Sequence, residues 1–171
     1  MDPGVTRLTF SVKGRALGKE RPRVVNGHAF TPRRTRLWED LVRTMARAEW
    51  GWWKPPAKGP VEIVINVWRK VPLSVKGEAR QAMLGDVPCT VGADVDNIAK
   101  AILDALQGAI FENDRQVWCL TVVRKWGPDD RVQVFIKAEE SDGRQDGRRG
   151  SKPSPGRAGP DPEGNGEVAL P

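Results

Sequence analysis

Residues 61–69, VEIVINVWR, set Val61, Ile63, Ile65 and Val67 at every second position. A period of two is the signature of an extended strand, whose side chains alternate between faces. Val64 and Trp68 lie on the other side, which allows cover on both faces. Residues 5–13 form a second strand, with Leu8, Phe10 and Val12 alternating against Thr9, Ser11 and Lys13. Residues 116–126 and 131–138 form two more. The Gly127-Pro128-Asp129-Asp130 turn joins them, and together they resemble a hairpin.

Two stretches carry helical spacing instead. Over residues 35–50 the stripe is Leu37, Leu41, Met45 and Ala48, widened by Trp38 and Val42, and Gly51 with Pro55-Pro56 ends it. Over 95–107 the stripe is Val95, Ile98, Ile102 and Leu106, filled in by Ala99, Leu103 and Ala105, and Gly108 ends it. A short helix is expected over 74–84 and a loop over 85–93. The order β-α-β-(α)-α-β-β predicts one α+β domain of mixed α/β type over residues 1–140. Residues 141–171 hold no aromatic residue, and 12 of the 31 are Gly or Pro. Such a segment buries too little area to offset chain entropy, so a disordered tail is expected.

Composition removes several classes. With 39% hydrophobic residues and two cysteines, the chain is neither a disulfide-built mini-protein nor wholly disordered. Cys89 and Cys119 are far apart and only one histidine is present, which argues against zinc held by Cys and His. No run of about 18 apolar residues predicts a membrane span. The start lacks the pattern of a secretory signal, so a cytoplasmic protein is the expectation.

The net charge of +6 is unevenly spread. Residues 1–60 carry a net +8, residues 61–140 a net −2, and the tail is neutral. Lys19, Arg21 and Arg23 lie on a Gly-Pro-rich loop, and Arg33, Arg34 and Arg36 stand at the start of the first helix. Basic charge at a helix start opposes the helix dipole. These six cations suit contacts to a phosphate backbone, against the plainer reading of a solvated loop. Trp50, Trp52 and Trp53 cluster ahead of the proline pair. Packing is the expected use of that cluster, with stacking on bases the alternative. His28 reads as a loop residue.

The densest chemistry is Asp94-Val95-Asp96-Asn97-Ile98-Ala99-Lys100, with Asp104 and then Asn113-Asp114 beyond it. On the plain reading Asp94 is the N-cap of the second long helix and Asp96 sits in its first turn, where negative charge is favoured. On the functional reading both carboxylates converge at the helix entrance, Lys100 follows one turn later, and Asp114 lies in a turn that can return to that end. Three carboxylates without competing thiols or imidazoles suit a hard cation such as Mg2+. A nearby lysine can stabilise charge on a scissile phosphate.

Residues 94–118, DVDNIAKAILDALQGAIFENDRQVW, resemble the signature of the RusA family of Holliday junction resolvases. That signature is Asp-x-Asp-Asn-x-x-Lys, Leu-Asp-Ala-Leu, then Asp-Asp-x-Gln. The likeness reaches upstream to Gly18-Lys19-Glu20-Arg21-Pro22-Arg23 and downstream to Lys125-Trp126 and the last strand. It covers roughly residues 5–138. It implies a small RusA-like domain, a homodimer and a Mg2+-dependent endonuclease that resolves four-way branched DNA by paired symmetric nicks. Members are common in bacterial phages and prophages. The same likeness makes Asp94, Asp96 and Asp114 catalytic, metal-binding acids and Lys100 the catalytic lysine. It gives Asn97 and Asp104 supporting roles and adds Lys125 to the DNA contacts. Two departures stand out. Asn113 replaces the first of two adjacent aspartates, and Gly92-Ala93 replaces a Lys-Pro-like pair before Asp94. They leave open a weak or silent branched-DNA binder, or a nuclease that prefers flaps or forks.

Overall fold

The computed structural model describes residues 4–21, 23–25 and 28–139, with 23–25 and 28–30 described by their backbone. The expected tail lies outside the described residues. Strand β1 spans Val5–Lys13, and β2, Arg23–Val25, pairs antiparallel with β3, His28–Phe30. Helix α1 is Arg33–Trp50, β4 is Val61–Lys70, α2 is Gly77–Leu84 and α3 is Val95–Leu106. A 3-10 turn, Asp114–Gln116, leads into β5, Val117–Gly127, and β6 is Arg131–Glu139. Each predicted element is present, as a small mixed α/β domain. The small β2–β3 pair lies within the Gly-Pro-rich basic segment, where the sequence predicts only a loop.

The main sheet runs β1-β6-β4-β5. Its core face carries Leu8, Phe10 and Val12 from β1, Val61, Ile63, Ile65 and Val67 from β4, and Val132, Val134, Ile136 and Ala138 from β6, all buried. Against them lie Val42 and Ala46 of α1 and Ile98, Ile102 and Leu106 of α3. Burying each large aliphatic side chain contributes about 1.5–3 kcal/mol. The cover that Val64 and Trp68 allowed on the second face is partial: both are half-buried there, and the Arg131 guanidinium lies 4.4 Å over the Trp68 ring.

The expected hairpin of the last two strands does not form. The most apolar strand, β4, takes the place between them, parallel to β5 and antiparallel to β6. The Gly127–Asp130 connection passes over the end of β4 instead of folding back. There Val71 N–H donates to the Gly127 carbonyl at 3.0 Å, and the Asp130 carboxylate accepts from Lys70 N–H at 3.1 Å and from Arg69 at 2.8 Å. Burial opposes ionisation of Asp130, but the hydrogen bonds from Lys70 and Arg69 outweigh it and hold its carboxyl below the usual aspartate range.

Helix α1 also differs from its predicted face. The buried line is Thr35, Trp38, Val42, Ala46 and Trp50, while Leu37 and Leu41 are 58% and 43% exposed. Two stripes at helical spacing sit side by side on this helix, and the one holding two tryptophans fills the larger volume under the sheet. Trp50 is packed as expected, but Trp52 and Trp53 are exposed. Among the described residues no helix is long and apolar enough to cross a membrane.

Candidate active site

Helices α1 and α3 run side by side in the same direction. The contacts advance together along both: Lys19 Nζ reaches Glu39 and Asp104, each at 2.7 Å, Arg43 Nε donates to the Ala105 carbonyl at 3.1 Å, and Arg47 donates to the Ala109 carbonyl at 2.9 Å. The two helix starts therefore share one end of the molecule. At that end stand Asp94, Asp96 and three arginines of α1, Arg33, Arg34 and Arg36.

Asp94 occupies the N-cap position of α3, with extended backbone, yet its side chain makes no capping hydrogen bond. Its position is the one the plain reading expects, but the side-chain bond that would make it a cap is not formed. Asp96 follows in the first turn and Lys100 one turn later, both exposed. Among the described residues Asp94, Asp96 and Lys100 have no side-chain partner, so their charges are free to act on something outside the chain.

The loop before Asp94 is held from β5. Arg124, a residue that motif reasoning passed over, donates its Nε to the Cys89 carbonyl at 2.7 Å and a guanidinium N–H to the Ala93 carbonyl. A strand arginine two residues before Trp126 gives no sequence cue, because its acceptors are backbone atoms of a distant loop. Gly92 sits at φ +121°, a conformation in which a side chain is strained, so glycine here follows from the turn. From the other side the Gly18-Lys19 segment docks on α3. Lys19 N–H donates to the Asn97 carbonyl at 2.8 Å, and a Cβ on Gly18 would stand 3.0 Å from that of Asn97 and 3.1 Å from that of Ala93. Asn97 thus meets this segment through its backbone carbonyl, and Asp104 through its ion pair with Lys19.

Lys19 itself is not a free cation. Burial pulls its pKa down, but hydrogen bonds to Asp104 and Glu39 prevail and raise it above the ordinary lysine value. Its charge is spent joining α1 to α3. Lys125 is likewise engaged, 2.5 Å from Asp86. Arg21, Arg33, Arg34 and Arg36 remain exposed without partners among the described residues, and the first turn of α1 holds no acidic residue. Arg34, Arg15, Glu20, Gly18 and Ala93 line an open cleft of about 230 Å³ beside Asp94. The side chain of Arg23 lies outside the described residues. A comparable cavity of about 250 Å³, lined by Trp50, Lys54 and Pro55 among others, is at the other end of α1.

Asp114 does not join the pair. It opens the 3-10 turn beyond the far end of α3, which at 12 residues is about 18 Å long. The position is firmly built. Asn113 caps the turn through Arg115 N–H at 3.0 Å, and Gln116 accepts from Asn113 N–H and donates to the Ala57 and Gly59 carbonyls. The Asn113 departure therefore keeps a capping role that aspartate would also fill. Among the described residues no three acidic, histidine or cysteine side chains are grouped to hold a metal. One chain brings Asp94 and Asp96 together and leaves Asp114 a helix length away, so it does not by itself present the three-carboxylate centre.

The chain is similar to known proteins over most of this domain. It is 31% identical over 139 residues to the uncharacterized protein YqaN of Bacillus subtilis (strain 168), a match covering 76% of this chain and 95% of that protein. The family described as endodeoxyribonuclease RusA matches residues 13–137, which take in both helix starts, the acid pair and Asp114. The chain belongs to the RusA endodeoxyribonuclease family.

Proposed function

We propose that this protein is an endodeoxyribonuclease that resolves four-way branched DNA by paired symmetric nicks, working as a homodimer. One observation carries the reading. In a RusA-family chain, the Asp94–Asp96 pair stands unpartnered at a mouth flanked by free arginines, where a merely structural Asp94 would cap its helix. Arg33, Arg34 and Arg36 bind successive backbone phosphates and orient the strand, which gives affinity without base specificity. Lys100, one turn beyond Asp96, stabilises the charge that develops on the scissile phosphate. The oxygen-only donor set suits Mg2+ as cofactor.

The test is nicking of an end-labelled four-way junction in Mg2+ and in EDTA, with the parent and Asp96→Asn. The expected result is Mg2+-dependent nicking that falls about 10³-fold or more in the variant, with junction binding retained. Undiminished nicking by Asp96→Asn overturns the role given to Asp96. A second reading, a silent branched-DNA binder, draws on the distance of Asp114 from the acid pair. It predicts junction binding by the parent with no nicking at all.

A further inference from the structure

The sheet has a second face, which the proposed nuclease site leaves unused. Both long helices pack on the core side, and on the other side Thr9, Ser11 and Phe135 are exposed. Strand register fixes what meets there, because residues opposite one another on neighbouring strands share a face. Arg7 stands opposite Lys137 in one row, and Lys13 opposite Arg131 in another. The two rows between them carry no charge: Thr9 is opposite Phe135 and Ser11 opposite Gln133, and β4 continues them with Val64 and Asn66. Cations therefore stand at both ends of an uncharged middle. From Arg7 to Lys13 along β1 is about 20 Å. Phe135, 37% exposed, and Val64 line a cavity of about 230 Å³, with Arg7, Lys137, Glu62 and Thr9 around it. The side chains of Thr9, Ser11, Asn66 and Gln133 make no hydrogen bond among the described residues. Lys137 and Arg131 hold Glu139 and Asp129 in surface ion pairs, which are weak enough for a phosphate to replace.

We infer that this face binds a single strand of DNA over about four nucleotides, with one base stacked on Phe135 and phosphates on the two cation rows. An unpaired base offers the flat face that an exposed aromatic ring on a sheet can stack against, and the open hydroxyls and amides meet its edge. A duplex keeps its base faces stacked inside, and a sheet face offers no helix or ribbon to enter its major groove. The acid pair lies at the start of α3, on the helix side of the sheet, so this surface is separate from it and does not depend on the nuclease reading. In a branched substrate it holds a strand freed from pairing.

Affinity measured in EDTA tests this, by fluorescence anisotropy of a short oligothymidylate and of an abasic strand of the same length and charge. The full chain is expected to bind the thymidylate about 10-fold more tightly than the abasic strand, Phe135→Ala to lose that preference and Phe135→Trp to keep it. Asp96→Asn is expected to bind the thymidylate as the parent does, so failure of the nuclease reading leaves this result standing. Equal binding of the two strands by the parent, or a preference that survives in Phe135→Ala, overturns the inference. A loss in Phe135→Ala that is as large for a matched duplex also overturns it, and makes the face a general phosphate surface. Failure to bind either strand overturns it and leaves the face to a protein partner. A second measurement needs no variant. Thymidylate is cross-linked to the parent with ultraviolet light and the attached peptide is mapped by mass. Attachment within residues 131–139 is expected, and attachment confined to the start of α1 contradicts the proposal.

Discussion

Side chains of the same type have opposite uses in this protein, and the partner decides which. Lys19 and Arg34 are both cations near the acid pair. Lys19 is held by Glu39 and Asp104, whereas Arg34 faces an open cleft. Asp94 and Asn113 both stand at helical N-caps, yet only Asn113 caps. Arg124 is the least conspicuous of these residues and the most connected to the site, because it fixes the two carbonyls that lead into Asp94. It acts as a positioning residue. Arg124→Ala is expected to lower kcat for junction nicking about 10-fold, with KM and junction affinity nearly unchanged and Arg124→Lys partly restoring the rate. An equal loss in binding would instead make it a DNA contact. Such a residue cannot be found in a sequence, since both of its acceptors are backbone atoms some 30 positions away.

The elements were largely legible, and their neighbours were not. β1, β4, α3 and β6 follow their periodicity closely because one face of each meets the core. The β5–β6 hairpin failed because a short polar turn between two strands says nothing about a third strand sliding between them. On α1 the period holds, and of the expected face only the flank given by Trp38 and Val42 is buried, since Leu37, Leu41 and Met45 repeat as regularly as Trp38, Val42 and Ala46. The β2–β3 pair did have a cue in Asn26-Gly27 between Val24-Val25 and His28-Ala29, a common two-residue hairpin sequence. The 3-10 turn shows why the motif's glutamine matters. Gln116 ties Asn113 to the Ala57–Gly59 carbonyls, so Gln116→Leu is expected to cost about 1–3 kcal/mol of stability, measured by urea denaturation. A change under a few tenths would mean that water replaces these bonds.

At the scale of the whole molecule, charge and chemistry sort to ends. Parallel packing of α1 and α3 sets the basic helix start beside the acid pair, so under the proposed function phosphate binding and cutting share one mouth. Not all of the +8 of the first 60 residues is free to meet phosphate, because Lys19 is held by Glu39 and Asp104. Replacing Arg33, Arg34 and Arg36 together with Gln is expected to weaken junction binding uniformly across sequences and reduce the slope of log K against log salt by about 3. An unchanged slope would remove these side chains from the interface. The site was legible as a set of residues but not as a geometry. A spacing of 18 between Asp96 and Asp114 is compatible with a returning turn, and only the fold reveals that the turn stays at the far end of α3.

A nuclease for branched DNA is distinguished from every other reading by a substrate panel. A four-way junction, a flap, a fork and a linear duplex of matched sequence are incubated with the full chain in Mg2+, and the nick positions are mapped on each strand. Paired nicks at symmetric positions on opposing strands of the junction are expected, with little cutting of the duplex, and neither in Asp96→Asn. Equal cutting of the linear duplex, or an intact junction under conditions where the protein binds it, would contradict it.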